Sequence, residues 1–456
     1  MRQALLDLDA AISFLVSLWV RPAQANSRDL DANARTMTVW RGGEETMRSV
    51  IVVGGGMVGV ATALQLQRRG WSVVLVDRGA PGRETSYGNS GFIQNEAVRP
   101  HAMPRDFASL LKIAFGRAND VRYRLLALPH HLGPLLQYWR NSAPDQHQRI
   151  TAAYASIILR AASEHDSFIR ESGAGNLVQR GGYHLFHREP AALEAAIATA
   201  DAMRAAYGVK FRALTADELA RAEPGLQQTA AGAIHWQESW TVSDPGDLVT
   251  AYATLFESLG GTLARGDAAS LVQTSSGWSV QGTDGLIEAE TAVVALGPWS
   301  PELLRRFGYR FPLVRKRGYH QHYVGGTSLQ LPLVDASLGY VMAPMRQGTR
   351  LTTGAELTGP NAPPTPVQLD RAEAAARQLV DLGRRVEGDP WYGTRPCTPD
   401  MLPVLGQAPR HRGLWLNFGH GHQGFTLGPV TGRLVAELMN GDPTDVDMNP
   451  YRPERF

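Results

Sequence analysis

Ser49-Val-Ile-Val-Val-Gly-Gly-Gly-Met-Val-Gly59 runs through β-branched residues to Val53 and then sets glycines at Gly54, Gly56 and Gly59. Such a run reads as a buried parallel strand followed by a glycine turn. Ala61, Leu64 and Leu66 give the next segment an apolar side through Arg69, and Gly70 is placed to stop it. Trp71 to Val76 read as a second strand closed by Asp77. Strand, glycine turn, helix, strand and acidic stop is the order of a dinucleotide-binding βαβ unit.

In that unit Gly54 serves the tight turn, Gly56 the close approach to a pyrophosphate, and Gly59 the packing of helix on strand. Met57 and Val58 open the helix, whose free amides and positive dipole end would face the pyrophosphate. Asp77 stands about twenty residues beyond the glycines, where a carboxylate accepts hydrogen bonds from an adenosine ribose. It would repel a 2′-phosphate, but it does not separate NAD from FAD. The following stretch, Thr85-Ser-Tyr-Gly-Asn-Ser-Gly91, is polar and short-side-chained, and can wrap a long bound cofactor with backbone and hydroxyl donors. Arg78, Thr85, Ser86, Asn89, Ser90 and Gly91 are therefore candidate cofactor contacts.

A chain of 456 residues that is 43% hydrophobic can hold two domains, each with its own core. Lys+Arg 45 against Asp+Glu 43 leaves a formal charge of +2, too balanced to imply nucleic acid as a partner. With one cysteine, Cys397, there is no internal disulfide and no multi-cysteine metal site, which is compatible with a reducing compartment. No apolar run reaches the roughly eighteen residues of a membrane span. Ile12 to Val20 is short, and Asp7 and Asp9 spoil the basic leader of a signal peptide. Residues 1–46 are expected to be an extension outside the core. The expected location is cytoplasmic, with peripheral attachment to the inner face of the membrane, or contact with a partner subunit, left open.

Farther along, helical patterns cover Phe107 to Phe115, Leu125 to Trp139 and Ile150 to Glu171. Gly181 to Phe186 reads as a strand, Pro190 to Tyr207 as a helix, and Leu214 to Ala222 as a short helix capped by Thr215 with Glu218 at the capping-box spacing. Asp247 to Gly260 is helical, and Leu271 to Glu290 alternates like antiparallel strands. Thr291-Ala-Val-Val-Ala-Leu-Gly-Pro-Trp299 returns to the strand-then-glycine pattern. Strand candidates follow at Val314 to Val324, Gly339 to Pro344 and Arg350 to Gly354, then a helix at Leu369 to Leu382. The tail supplies a strand at Leu414 to Asn417, a Gly/His loop, and a helix from Thr426 to Met439.

These landmarks resemble the D-amino acid dehydrogenase branch of the FAD-dependent D-amino acid oxidase-like flavoproteins. The resemblance begins at Met47 and rests on the first glycines with Asp77, Thr85 to Gly91, Gly297, Arg317-Gly-Tyr319, Tyr340 to Gly354, Arg395-Pro-Cys-Thr-Pro-Asp400 and Asn417-Phe-Gly-His-Gly-His-Gln-Gly424. It implies an α/β protein with a Rossmann-like FAD-binding domain and a second, α+β substrate domain containing an antiparallel sheet. The FAD domain would take residues 47–174, 235–305 and 391–456, and the substrate domain 175–234 and 306–390. It further implies one FAD, with Gly297, Trp299, Arg395, Gly419, His420, Gly421 and Gly424 beside it. The start of the last helix would point at the flavin, where helix-end amides stabilise negative charge.

The implied chemistry is oxidative deamination of a D-amino acid. Its carboxylate sits on an arginine, hydride leaves the α-carbon for flavin N5, and water hydrolyses the imino acid to a 2-oxo acid and ammonia. Arg346 is the first candidate for the carboxylate, because Tyr340 to Gly354 resembles the family's substrate hairpin; Arg350 is the second. Glycine oxidases place theirs one position nearer the proline, where this chain has Met345. Tyr319 would put its hydroxyl on substrate or seal the pocket, and His420 would contact flavin or influence the amine's protonation. His320 and His322 alternate along one strand without a located third ligand, so no metal is expected. The partners implied are an amino acid and a quinone or other electron acceptor. D-hydroxyproline, glycine, sarcosine or an opine as substrate, oxygen as acceptor, and a non-catalytic flavin-binding subunit stand as alternatives.

Overall fold

The computed structural model describes residues 48–106, 110, 121–124, 127–227, 230–359 and 362–456. The expected extension over 1–46 and most of the helical pattern Phe107 to Phe115 lie outside these residues.

The fold is mixed α/β, built on two large sheets. Ser49–Val53 is buried on both faces and pairs in parallel with Ser72–Asp77 on one side and Thr291–Val294 on the other. Thr262–Gln273 and Leu414–Phe418 extend this parallel set outward. The antiparallel strands Trp278–Gly282 and Gly285–Ala289 finish one edge, and Val404–Gln407 the other, making eight strands. Continuous valine-rich strands suit such a sheet because both faces are covered.

One cover is formed by the helices Met57–Arg68 and Gly424–Asn440, which meet at very short range. A Cβ at Gly432 would stand 2.9 Å from the backbone carbon of Ala61, so only a glycine lets the helices touch there. At Gly59 a Cβ would fall 1.8 Å from the Gly54 carbonyl oxygen, which locks the glycine turn onto its own helix. These contacts hold both helix starts beside the carboxyl ends of the parallel strands.

The second sheet has eleven strands centred on Val314–Gly325, which pairs with Gly348–Thr352, Ala355–Leu357, Gly383–Arg385 and Trp391–Cys397. Tyr340–Met345, Leu333–Asp335, Tyr183–His187, Gly232–Trp236 and Phe211–Thr215 continue it outward. Two of its strands, Val121–Tyr123 and Trp391–Cys397, come from segments expected to serve the cofactor domain. The helix Val367–Leu379 packs its apolar side, including Leu369, Ala372 and Ala376, on this sheet.

Thr215 and Glu218 form the expected capping box. The long helix expected over Ile150 to Glu171 is instead two helices, Pro144–Ile158 and Ala161–Glu171. The break has a local partner: Arg160 turns back to donate to the Ser156 carbonyl and reaches Asp445 at 2.9 Å. The helix expected to reach Leu382 stops at Leu379, where Val380 becomes extended.

Candidate active site

A cavity of about 1290 Å³ lies between the carboxyl ends of the parallel strands and the second sheet. Pockets for one small ligand span roughly 300–1,000 Å³, so this volume suits a large cofactor together with a small substrate. Asp77 at the end of one parallel strand and Gly56, Gly297 and Gly419 just beyond three others line it. Ligands in open α/β sheets bind at this edge because the backbone there turns away and leaves a crevice.

At one end stand the helix-opening residues Met57 and Val58, and the residue that begins that helix, Gly56, has no side chain to cap it. The Met57 amide donates to the Ser86 hydroxyl at 3.0 Å, fixing the polar loop over the helix start. Asp77 accepts from the amides of Gly55 at 2.6 Å and Gly79 at 2.9 Å. Arg78 pairs with Glu84 and lies 4.8 Å from the centre of the Trp299 ring, so this cation and this indole border the same rim. Thr85, Asn89 and Ser90 also line the cavity. Gly54, Gly59 and Gly91 do not; they shape the turns behind it, Gly91 adopting φ +75° against the Val242 carbonyl.

The two arginines expected to hold a carboxylate are placed elsewhere. Arg346 lies at the turn between Tyr340–Met345 and Gly348–Thr352, its side chain 55% exposed and paired with Asp247 at 3.2 Å, outside the cavity. Arg350 is 1% exposed and commits its guanidinium to the carbonyl oxygens of Tyr87 and Asn89 and to His322 Nε2. It is a brace for the loop after Asp77, because a strand residue facing the interior meets that loop before any ligand. Burial lowers its pKa to about 10, which leaves it charged at neutral pH. His322 accepts from Arg350 and bonds Glu387 through Nδ1; both it and His320 are buried rather than facing outward.

Tyr319 borders the cavity, but its hydroxyl donates to Glu356 at 2.5 Å and accepts the Thr365 amide at 2.9 Å. It therefore seals the wall and does not offer its hydroxyl to a ligand. His420, with Gly421 and Gly424, lines the cavity beside the start of the last helix. The Thr431 hydroxyl donates to the Leu427 carbonyl, so it takes the proton of His420 Nε2 at 3.0 Å. Burial lowers the His420 pKa to about 3. The ring is therefore neutral near pH 7.

Arg395 lines the cavity and is register partner to Lys316, another lining residue, on adjacent antiparallel strands. Its guanidinium donates to the carbonyls of Gly354 at 2.7 Å and Thr353 at 2.9 Å. Among the described residues no carboxylate forms an ion pair with either cation. Near them the His101 and His422 rings lie 5.0 Å apart, tilted by 41°, and burial first, then the neighbouring His101, Arg395 and Lys316, hold the His422 pKa well below the usual range.

Lys316, His101 and Glu96 were not singled out from the sequence. Glu96 lies in the wall and is bonded by Tyr183 and Ser239, which are 87 and 143 residues away. Its only local signal is an acidic residue five positions after the Thr85 to Gly91 loop.

The residues present fit FAD. Two long helices, Met57–Arg68 and Gly424–Asn440, begin at the cavity uncapped by their own N-cap residues, and apart from the Met57 amide held by Ser86 their first turns leave donors for anionic or electron-rich groups. The buried Thr85 hydroxyl and Asn417 side-chain oxygen have no hydrogen-bond partner, and both residues line the same chamber. Asp77 supplies the acceptor a ribose requires.

Comparison with known proteins agrees with that fit. The pattern of the family described as FAD dependent oxidoreductase (DAO) matches residues 49–438. A D-amino-acid oxidase from Bradyrhizobium diazoefficiens is 30% identical over 423 residues, covering 90% of this chain and 99% of its own. A D-amino acid dehydrogenase from Cereibacter sphaeroides is 32% identical over 436 residues, covering 89% and 95%. The crystal structure of glycine oxidase from Geobacillus kaustophilus superposes with a TM-score of 0.68 at 23% identity, covering 90% of this chain and 100% of that one, and shows a shared fold. The chain thus belongs to the FAD-dependent oxidoreductase family, and this membership supports FAD as its cofactor.

Proposed function

We propose that the protein is an FAD-dependent D-amino acid dehydrogenase that converts a D-amino acid to a 2-oxo acid and ammonia and passes electrons to a quinone-like acceptor. Bound FAD supplies the two-electron acceptor. In this reading the eight-stranded unit is a Rossmann-like cofactor domain. Gly56 and Val58 present amides to the pyrophosphate while Ser86 holds that of Met57, Asp77 holds the ribose, and Arg78 with Trp299 borders the adenosine end. The Thr85 to Ser90 loop and Gly419 to Gly424 close over the remainder.

The observation that carries the substrate reading is the cationic pair Lys316 and Arg395, adjacent in register and both lining the cavity. A substrate carboxylate placed there meets two positive charges in a wall where water is scarce, and an arginine offers the parallel donors a carboxylate takes up. The tie of Arg395 to two carbonyls fixes its plane before substrate arrives. Tyr319, bonded to Glu356 and the Thr365 amide, closes part of that wall.

Curated relatives named D-amino acid dehydrogenase support the acceptor class and the D configuration. The relative named D-amino-acid oxidase favours oxygen as a second reading. Incubation with D- and L-amino acids plus a quinone analogue, followed by assay of ammonia and 2-oxo acid, tests the proposal. Product from D-substrates that requires the quinone supports it. Product formed with peroxide and without quinone moves the enzyme to the oxidases, and no product from any amino acid removes the reading.

A further inference from the structure

Glu96 follows the short strand Phe92–Ile93, is 5% exposed, and lines the cavity. Its Oε1 accepts from the Tyr183 hydroxyl at 2.8 Å and the Gln94 amide at 2.7 Å, and the Ser239 hydroxyl donates to Oε2. All three donors are neutral, and among the described residues no lysine, arginine or histidine forms an ion pair with it. A carboxylate buried without a cation is costly, and either a proton or a cation brought by a ligand relieves it. Its neutral donors orient it without neutralising it, and an ionised carboxylate has about four lone-pair sites, more than these donors occupy.

Glu96 is also joined to the cationic wall. The Gln94 side-chain oxygen accepts from the Gln423 amide at 2.6 Å, and Gln423 also lies 3.2 Å from His422 Nε2. His422 in turn feels the charges of Lys316 and Arg395. The same cavity thus holds the two cations Lys316 and Arg395 and, in Glu96, a carboxylate without a cation. Opposite charges lining one chamber suit a zwitterion.

We propose that Glu96 receives the α-ammonium group of the substrate, so that the site selects molecules bearing both an ammonium and a carboxylate over 2-hydroxy acids and simple carboxylic acids. The assignment rests on the amino acid reading above and names the residue that recognises the amine. Burial pushes the Glu96 carboxyl up from its usual range, which makes it a better partner for an ammonium proton. Once the ammonium proton passes to a Glu96 oxygen, an N–H bond breaks, an O–H bond forms, and the nitrogen lone pair is freed.

The test is calorimetric binding to the FAD-loaded protein of 2-aminoisobutyrate, which has no α-hydrogen to lose, and of isobutyrate, which lacks the amine. The parent protein should bind the aminated ligand more tightly. Glu96→Gln should weaken 2-aminoisobutyrate on the order of tenfold or more and leave isobutyrate unchanged, the scale of one lost charge-assisted hydrogen bond. Tyr183→Phe keeps the carboxylate, removes one donor, and should weaken the same ligand less. It also carries the test if Glu96→Gln fails to fold. Equal binding of the two ligands by the parent, equal weakening of both in Glu96→Gln, or parent-like binding in whichever variants fold would overturn the assignment. Selective loss of the aminated ligand in a protein that oxidises no amino acid would retain Glu96 as the amine site and remove the reaction proposed above.

Discussion

Arg350 Nη1 stands 2.6 Å from the carbonyl oxygen of Asn89, tying the second sheet to the loop that follows Asp77. The same nitrogen reaches the Tyr87 carbonyl at 2.8 Å, so one buried cation holds two turns of the cofactor loop. Arg350→Met should leave both carbonyls buried and the loop loose. FAD binding is expected to weaken about tenfold or more, as for loss of a charged buried hydrogen bond. Equilibrium dialysis of released FAD checks this; a dissociation constant equal to the parent's would mean the loop is held by other contacts.

Gly56 and Gly59 should separate cofactor binding from folding. A Cβ at Gly56 meets nothing closer than Ser86 Oγ at 3.3 Å, whereas one at Gly59 would overlap the Gly54 carbonyl oxygen at 1.8 Å. Gly56→Ala is expected to fold with a Tm near the parent's in the absence of cofactor and to retain less FAD, because the methyl group crowds the pyrophosphate. Gly59→Ala should lower the Tm itself. Equal FAD content in parent and Gly56→Ala would remove Gly56 from the pyrophosphate site.

Exposed Arg346 and cavity-lining Arg395 give opposite expectations for substrate. Arg346→Leu loses a surface pair with Asp247 and should leave the KM for amino acids unchanged within about twofold, since exposed ion pairs contribute little. Arg395→Leu should raise KM on the order of a hundredfold or abolish turnover, given a desolvated carboxylate contact. Steady-state kinetics of the two variants beside the parent decides. The reverse pattern would restore the hairpin arginine as the anchor.

Acid should destabilise the protein through its buried neutral histidines. Burial lowers His165 from 6.5 to about 4 and His420 from 6.5 to about 3. In the unfolded chain these rings take up protons below about pH 6.5 while the folded protein refuses them. The stability they contribute is therefore complete above pH 6.5 and is lost as pH falls through the folded values, at roughly 1.4 kcal/mol per histidine per pH unit. Denaturant unfolding between pH 7 and pH 4 checks the slope. His420→Gln should make it shallower; an unchanged slope would show that His420 protonates without cost.

Local features of the site were legible in the sequence because their partners are near in the chain. The glycine turn, Asp77 and the Thr215–Glu218 capping box each work within about thirty residues or less, and propensity and spacing report on that scale. Arg350 was assigned from its hairpin, but its direction is set by Asn89, 261 positions away, and no local pattern encodes that. Glu96 was passed over for the same reason. Beside the break at Leu159, Arg160 pairs with Asp445, 285 residues on, and helical periodicity carries no sign of that contact.

The central claim is that this site oxidises D-amino acids with FAD. Anaerobic mixing of the FAD-loaded protein with matched D- and L-enantiomers, followed through the visible absorbance of the flavin, tests it most directly. Bleaching by D-enantiomers, absent or far slower with their L-counterparts, is the predicted result. Bleaching by L-enantiomers alone, or a flavin that stays oxidised with every amino acid offered, would contradict it.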